Sequence, residues 1–402
     1  MLRFTYPADA VLKHYFREQR RLGPKDRSVI AETIYTLLRR RLFIEHLAQG
    51  AESPRLLLMI ALTKLQGVNV KELGPVTRPH ERALLTKILE TNTDHLPLPV
   101  ETDFPDWLVQ IYLKDHSRNE LLALAHGLQA PAPLDLRVNT MHTNRANVIE
   151  MLQAEELEPV ATPHSPLGVR LMGKPALQKH PLLINGHVEV QDEGSQLLGL
   201  LVAPRRNEMV VDFCAGAGGK TLLLGALMHS TGRLYAFDVS EKRLQNLKPR
   251  LKRSGLSNVQ PVRIEHENDA RIKRLARKID RVLVDAPCSG LGTLRRNPDL
   301  KWRQTADDIA ELAIKQKNIL VSAARLLKPG GRLVYATCSI LNDENEAIVT
   351  EFLSTHADFK LLNCAEILAA QHVNIDTGEY LYLYPHQHGT DGFFAAVMEK
   401  LA

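Results

Sequence analysis

Met209-Val-Val-Asp-Phe-Cys-Ala-Gly-Ala-Gly-Gly-Lys-Thr221 is the stretch on which the reading of this chain turns. A short apolar run ends in Asp212, breaks into glycines, and resumes as Leu222, Leu223, Leu224, Ala226 and Leu227 at helical spacing. That is a strand, a tight turn and the start of a helix. Gly216, Gly218 and Gly219 let the backbone approach a ligand more closely than a Cβ would allow. Three nucleotide-type ligands compete for such a loop. A phosphate cradle needs Gly-x-x-x-x-Gly-Lys-Ser/Thr, and Cys214 stands where its first glycine must be. The dinucleotide pattern Gly-x-Gly-x-x-Gly starts at Gly216 and fails at Thr221.

Working outward, the chain alternates strand and helix from residue 190 on. Strands are expected at 209–213, 233–237, 259–263, 280–285, 331–336 and 393–398, and helices at 192–202, 219–228, 240–253, 305–327 and 343–354. This alternation predicts an α/β fold with a mostly parallel sheet, covered on both faces, whose ligands bind at the carboxyl ends of the strands. Asp238 closes the second strand, Asp269 follows the third and Asp285 closes the fourth. Such acceptors suit a ligand without phosphates, S-adenosylmethionine: Asp238 for the ribose hydroxyls, Asp269 for the adenine amino group. The candidate cofactor-binding set is therefore Cys214, Ala215, Gly216, Ala217, Gly218, Gly219, Lys220, Asp238, Asp269 and Asp285.

Upstream, residues 1–96 read as helical, with apolar spacing over Ala8 to Arg20, Ser28 to Leu47, Leu56 to Leu65 and Glu81 to Glu90. Arg39-Arg40-Arg41 interrupts the second of these, and Asp26 or Ser28 is placed to cap it. Leu96 to Pro105 is proline-rich and reads as an extended linker, which opens a helical connection over 97–130. Residues 131–188 carry strands near 134–138, 169–172 and 187–190 and a helix over 145–155, which leads us to expect a small α+β module of a four-stranded RNA-binding type. The catalytic portion is then 189–402.

Hydrophobic content of 44% and charged content of 24% describe a globular protein. The longest apolar run, Leu56 to Leu62, is too short for a membrane span, and the start of the chain lacks a signal-peptide layout, so the cytoplasm is expected. Net charge is +5, but residues 1–55 hold 11 Lys/Arg against 6 Asp/Glu, and residues 241–281 hold 13 against 5. Such local surpluses suit a polyanionic partner. The four cysteines form no Cys-x-x-Cys pair and the 16 histidines are scattered, so neither a disulfide scaffold nor a metal site is expected.

Two cysteines stand apart. Cys288 in Asp285-Ala-Pro-Cys-Ser and Cys338 in Ala336-Thr-Cys-Ser each lie just past an apolar strand, on the edge where the ligand binds. With Val190-Gln-Asp-Glu-Gly-Ser-Gln196, the glycine loop, Arg295-Arg-Asn-Pro-Asp299 and Lys301-Trp302, these motifs make residues 190–355 resemble the RsmB-type family of RNA (cytosine-5)-methyltransferases. The resemblance extends more loosely to a NusB-like RNA-binding domain over residues 1–90 and an RRM-like module over 130–188. It implies a Rossmann-like S-adenosylmethionine-dependent methyltransferase sheet preceded by those two parts. One departure is visible: the family loop usually reads Cys-Ala-Ala-Pro-Gly-Gly-Lys, and Gly216-Ala217 replaces its Ala-Pro.

The resemblance also implies roles. Cys338 is the nucleophile that adds to carbon 6 of cytosine, Asp285 bonds the ring near N3 and the amino group, and Cys288 takes part in release. A base must leave its stack to reach such a site. Arg295, Arg296, Lys301 and Arg303 offer phosphate contacts and Trp302 a stacking surface. The expected substrate is rRNA, most readily 16S, and the chain is expected to act as a monomer. A tRNA (cytosine-5)-methyltransferase and a non-catalytic RNA-binding assembly factor are the alternatives.

Overall fold

A computed structural model describes residues 4–50, 53–173 and 175–402. It divides into two compact units, Met1–Pro131 with Thr293–Ala306, and Ala132–Gly292 with Asp307–Ala402. Among the described residues no helix is long and apolar enough to cross a membrane.

The first unit is helical: Ala8–Glu18, Pro24–Arg39, Arg41–Leu47, Pro54–Ile60 widening into Ala61–Leu65, Pro79–Leu89, Leu98–Thr102, Asp106–Tyr112 and Arg118–Gln129. Its core gathers Leu37, Phe43, Ile44, Leu47, Leu57, Ile60, Leu85 and Ile88. The Asp26 carboxylate accepts from the Gly23 N–H at 2.9 Å, as a cap for the second helix. Where three arginines break the apolar period, that helix breaks too, at Arg40. The stretch 96–105 is not extended as expected. Pro99 falls in the first turn of Leu98–Thr102, where its missing N–H costs no helical bond. The buried Asp103 that follows accepts from Arg40 Nε at 2.6 Å and from the Phe43 N–H at 3.2 Å, which ties the segment down.

The second unit opens with a four-stranded antiparallel sheet: β1 (Leu134–Val138), β2 (Pro159–Ala161), β3 (Gly168–Leu171) and β4 (Val188–Val190), in the order β2-β3-β1-β4. One face buries Leu136, Val138, Val169, Leu171 and Val188 against Val148 and Leu152 of the helix Arg145–Ala154. The other face carries Asp135, Arg137, Arg170 and Glu189, and it is also covered: Asp135 accepts from Arg170 Nε at 2.7 Å and from the Glu193 N–H at 3.2 Å. An RNA-binding sheet needs this face open and carrying aromatic rings. Here it is filled with ion pairs.

The larger sheet contains β5 (Met209–Asp212), β6 (Arg233–Asp238), β7 (Val259–Arg263), β8 (Ile279–Asp285), β9 (Leu327–Thr337), β10 (Phe359–Leu362), β11 (Leu381–Leu383) and β12 (Phe393–Lys400). The order is β10-β12-β9-β8-β5-β6-β7, with β11 also paired to β12. Strands β5 to β9 run parallel, and β12 joins β9 antiparallel. Alternate residues serve opposite faces. Val210, Leu283 and Val334 pack with Leu197, Leu201 and Leu222 on one side, whereas Val211, Val282, Leu333 and Tyr335 pack with Ile319, Leu320, Val349 and Phe352 on the other. Strand β9 starts earlier than expected, because its register jumps from Ile279–Leu327 to Arg281–Arg332 and the intervening residues bulge out. From β5 the chain proceeds to β6 and β7 on one side and to β8 and β9 on the other. This leaves a crevice at the carboxyl end of β5.

Candidate active site

That crevice is a cavity of about 800 Å³. Its wall takes in Cys214, Ala215, Gly216, Ala217, Gly219 and Lys220 of the glycine loop, and Asp212, Asp238, Asp285 and Cys338 from the ends of β5, β6, β8 and β9. Cys288, Val239, Ile264, Glu267, Pro287 and Ile319 complete most of it. Gly216 has φ +57°, and a Cβ on it would meet nothing within 4 Å, so its open side is left to a ligand. Gly218 serves a different purpose: at φ +83° it lets the helix Gly219–Leu227 start against Leu247, whose Cδ1 would lie 2.1 Å from an added Cβ. Asp238 holds the loop from the neighbouring strand, accepting from the Gly216 N–H at 2.8 Å and from the Ser240 N–H at 2.7 Å.

Asp269 lies elsewhere. Its carboxylate caps the short helix Ala270–Lys273, accepting from the Arg271 N–H at 2.8 Å and the Glu265 N–H at 3.0 Å, and it is not part of the cavity wall. These backbone hydrogen bonds hold its pKa below the usual carboxylate value. Glu267, two residues earlier, is the acidic side chain that lines the cavity.

At the other end of the cavity Lys220 Nζ donates to Asp285 Oδ2 at 2.7 Å. Burial works against the ammonium, but Asp285, Cys338 and Asp212 together outweigh it and raise its pKa. The sulfurs of Cys288 and Cys338 are 3.4 Å apart, although 50 residues separate them in the chain. The Cys288 thiol is pushed well up, first by its hydrogen bond to Cys338 and then by burial, while the Cys338 N–H donates to its sulfur at 3.3 Å. Cys364 is a core residue, buried with its pKa pushed up to about 12 by desolvation, and Cys214 is raised for the same reason.

A carboxylate that the sequence reading passed over holds the two cysteine turns together. Glu344 is fully buried. It accepts from the Ser289 N–H at 2.8 Å, Ser289 Oγ at 2.5 Å, Ser339 Oγ at 2.5 Å and Gln316 Nε2 at 2.9 Å. A serine directly after each cysteine was the available signal, because two buried hydroxyls on converging turns ask for a common acceptor.

Asp212 was also passed over as a site residue. Its Oδ2 accepts from Thr221 Oγ1 at 2.7 Å, while its buried Oδ1 has no hydrogen-bond partner among the described residues. Burial drives its pKa up from 3.8 to about 7, the Thr221 bond opposing and Asp285 adding to the shift. The folded chain keeps this proton to about pH 7 while the unfolded chain releases it near 3.8, so stability is lost as pH rises between those values. Asp212→Asn is therefore expected to raise Tm near pH 8 and to change it little near pH 4. Thermal unfolding at both values checks this, and an equal shift at the two would refute the assignment.

The five candidate RNA contacts belong to the helical unit, and three of them turn inward. Lys301 is buried, its Nζ donating to Arg39 O at 3.0 Å and lying 5.7 Å from the Phe104 ring. Desolvation pulls its pKa down to about 8. Trp302 Nε1 donates to Leu38 O at 3.0 Å, and the buried Arg295 offers its carbonyl to Arg39 Nη2 at 3.4 Å. These residues anchor segment 293–306 to its helices. The reason is geometric: helix Pro24–Arg39 ends here, and its last carbonyls need donors. Arg303 is exposed and Arg296 partly so.

Comparison with known proteins places this geometry. Residues 199–399 match the family described as 16S rRNA methyltransferase RsmB/F, and residues 104–178 match the ferredoxin-like domain of RsmF/B-like methyltransferases. The chain is 32% identical to the probable ribosomal RNA small subunit methyltransferase B of Synechocystis sp., over 94% of this chain and 92% of that protein. It is 30% identical to ribosomal RNA small subunit methyltransferase B of Vibrio cholerae, over 95% of this chain and 91% of the relative. Among solved structures it resembles PH0851, with a TM-score of 0.79 and 29% identity over 96% of this chain and 93% of the other.

Proposed function

Because the chain belongs to the RsmB/F family of 16S rRNA methyltransferases, we propose that it methylates carbon 5 of a cytosine in small-subunit rRNA through a covalent bond from Cys338 to that base. The observation that carries this reading is the pair of sulfurs 3.4 Å apart beside the Lys220–Asp285 ion pair, in the wall of the cofactor cavity. The enzyme depends on S-adenosylmethionine, which supplies an electrophilic methyl group on a sulfonium. The cavity fits that molecule: an open glycine turn at Gly216 for its methionine part, acceptors at Asp238 for its ribose, and apolar walls at Val239, Ile264 and Ile319 for its adenine.

The geometry supports the following roles for the chain's own residues. Cys288 and Cys338 share a hydrogen bond, and the Lys220 ammonium offers positive charge to a thiolate that forms at Cys338 during attack. Cys338 attacks carbon 6 of the extruded base, the new S–C bond forming as the 5,6 double bond shifts its electrons toward carbon 5. Asp285 would accept from the amino group and hold the N3 edge of the ring, and the Lys220 ammonium beside it offsets the negative charge that develops. After carbon 5 has been alkylated it gives its proton to solvent admitted to the cavity, the 5,6 double bond re-forms from the C–H electron pair, and the S–C bond breaks with its electron pair returning to Cys338. Cys288 assists this last step.

Arg296 and Arg303 meet RNA phosphates, and the helical residues 1–96 recruit the RNA. The protein acts in the cytoplasm, as a monomer and without a metal. Bisulfite sequencing of total RNA with and without the protein tests the reading. A protected cytosine in 16S rRNA is the expected result. Protection in tRNA alone would favour the tRNA enzyme, and no protection with no binding of S-adenosylhomocysteine would favour an assembly factor.

A further inference from the structure

The cofactor loop contains no proline to restrain it, and two of its carbonyls are held from outside. Arg250 Nη1 donates to Ala217 O at 2.6 Å, and Arg137 Nη1 donates to Gly219 O at 2.6 Å. Neither arginine is part of the loop. Arg250 projects from the helix Glu241–Ser254 and is itself clamped, its Nε and Nη2 donating to Glu189 Oε2 at 3.0 and 2.8 Å. The other oxygen of Glu189 takes Arg253 Nε and Nη2 at 3.2 and 2.8 Å. Glu189 lies on β4 and is buried.

Arg137 lies on β1 and is buried, its other partner being the side-chain oxygen of Gln191. None of the ion pairs among the described residues includes Arg137, and desolvation pulls its pKa down to about 10. A buried cation spent on neutral carbonyls is a poor way to gain stability. It is a good way to fix a backbone.

We propose that the small α+β module is the template of the cofactor loop: Arg137 of β1 and Arg250, anchored through Glu189 of β4, fix the Gly219 and Ala217 carbonyls and thereby position the loop for the methionine end of S-adenosylmethionine. The polar sheet face thus has a use other than RNA binding. Between the two gripped carbonyls runs Ala217-Gly218-Gly219, flanked by the ligand-facing Gly216 and by Lys220, so a shift in either carbonyl moves both ends of the cradle. Arg137 lies outside the cavity wall and acts on the ligand through the loop, whereas Arg250 also lines the wall, so Glu189→Gln, which alters only its anchor, is the variant that separates positioning from direct contact.

The experiment uses two ligands on the full chain. S-adenosylhomocysteine carries the amino-acid end, and 5′-methylthioadenosine keeps the adenosine but lacks that end. Isothermal titration of Arg250→Met is expected to show affinity for S-adenosylhomocysteine reduced about tenfold or more, the scale of a lost charge-assisted bond. Affinity for 5′-methylthioadenosine should change less than about twofold, since Asp238 and the adenine walls are untouched. Hydrogen exchange of the Gly216 and Gly218 amides should accelerate in the same variant while amides of β1 and β4 keep their protection. Glu189→Gln preserves shape and loosens only the anchor. It is expected to show the same selective loss, about threefold, and it decides the matter if Arg250→Met does not fold. Equal losses for both ligands would reduce the arginines to general structural support and overturn the proposal, as would unchanged binding of both. The wild-type titration separates this from the cofactor assignment, which falls only if the unaltered chain binds neither ligand.

Discussion

Cys338→Ser is expected to abolish methyl transfer, by about a thousandfold or more, while Cys288→Ser accumulates a protein–RNA adduct that survives denaturing electrophoresis. The two sulfurs share one hydrogen bond at 3.4 Å, so proximity alone does not say which attacks. The asymmetry lies in their surroundings. Cys288 is held as a thiol by its bond to Cys338 and by burial, with the buried Glu344 carboxylate adding to the effect. Cys338 is the sulfur whose charge the Lys220 ammonium senses. A serine hydroxyl at position 338 ionises far less readily than a thiol and leaves carbon 6 less easily. At position 288 a serine removes the group assigned to release but leaves the attacking sulfur in place. Single-turnover methyl transfer and a denaturing gel of protein with labelled RNA report both outcomes. An adduct from Cys338→Ser, or full turnover by it, would reverse or sink the assignment.

Glu344→Ala should be nearly as damaging, though Glu344 lies outside the cofactor cavity. Its carboxylate is the common acceptor for Ser289, Ser339 and Gln316, and so joins the turn after β8 to the turn after β9. Truncation strands these donors in a dry interior, at a cost of about 3 kcal/mol or more. The two turns would then separate, and displacement of about 1 Å at a reacting atom lowers kcat on the order of a hundredfold. Affinity for S-adenosylhomocysteine should hold, because Asp238 and the glycine loop do not depend on Glu344. Glu344→Gln, with one oxygen left to accept, should fall between. Thermal unfolding, kcat against KM, and the titration separate these effects. Intact kcat in a folded Glu344→Ala protein would remove Glu344 from the account.

The catalytic sheet could be read in the sequence because long parallel strands are apolar and the helices between them keep their period. Strands β2, β10 and β11 escaped the reading. Each has only three or four residues; β3 and β4 are as short, but their apolar residues alternate with Arg170 and Glu189, whereas Pro159–Ala161 and Leu381–Leu383 show no apolar–polar alternation. Pro99 misled for a different reason: a proline in the first turn of a helix looks, in sequence, like a proline in an extended linker.

By itself the sequence determined which chemistry this protein carries. A glycine turn after a strand, acidic residues at strand ends and two cysteines at strand ends must converge in a doubly wound sheet, since the carboxyl ends of its strands form one edge. Tertiary structure alone decided which polar side chains face that edge. Lys301 and Trp302 are equally suited to phosphates and bases or to the end of a helix, and the carbonyls of Arg39 and Leu38 claim them. Asp269 is as good a cap as a ligand, and two backbone N–H groups claim it. Glu344, Arg137 and Arg250 act through partners far away in the chain. A buried polar group takes whichever complementary partner folding brings to it, and no local pattern in the chain records that choice.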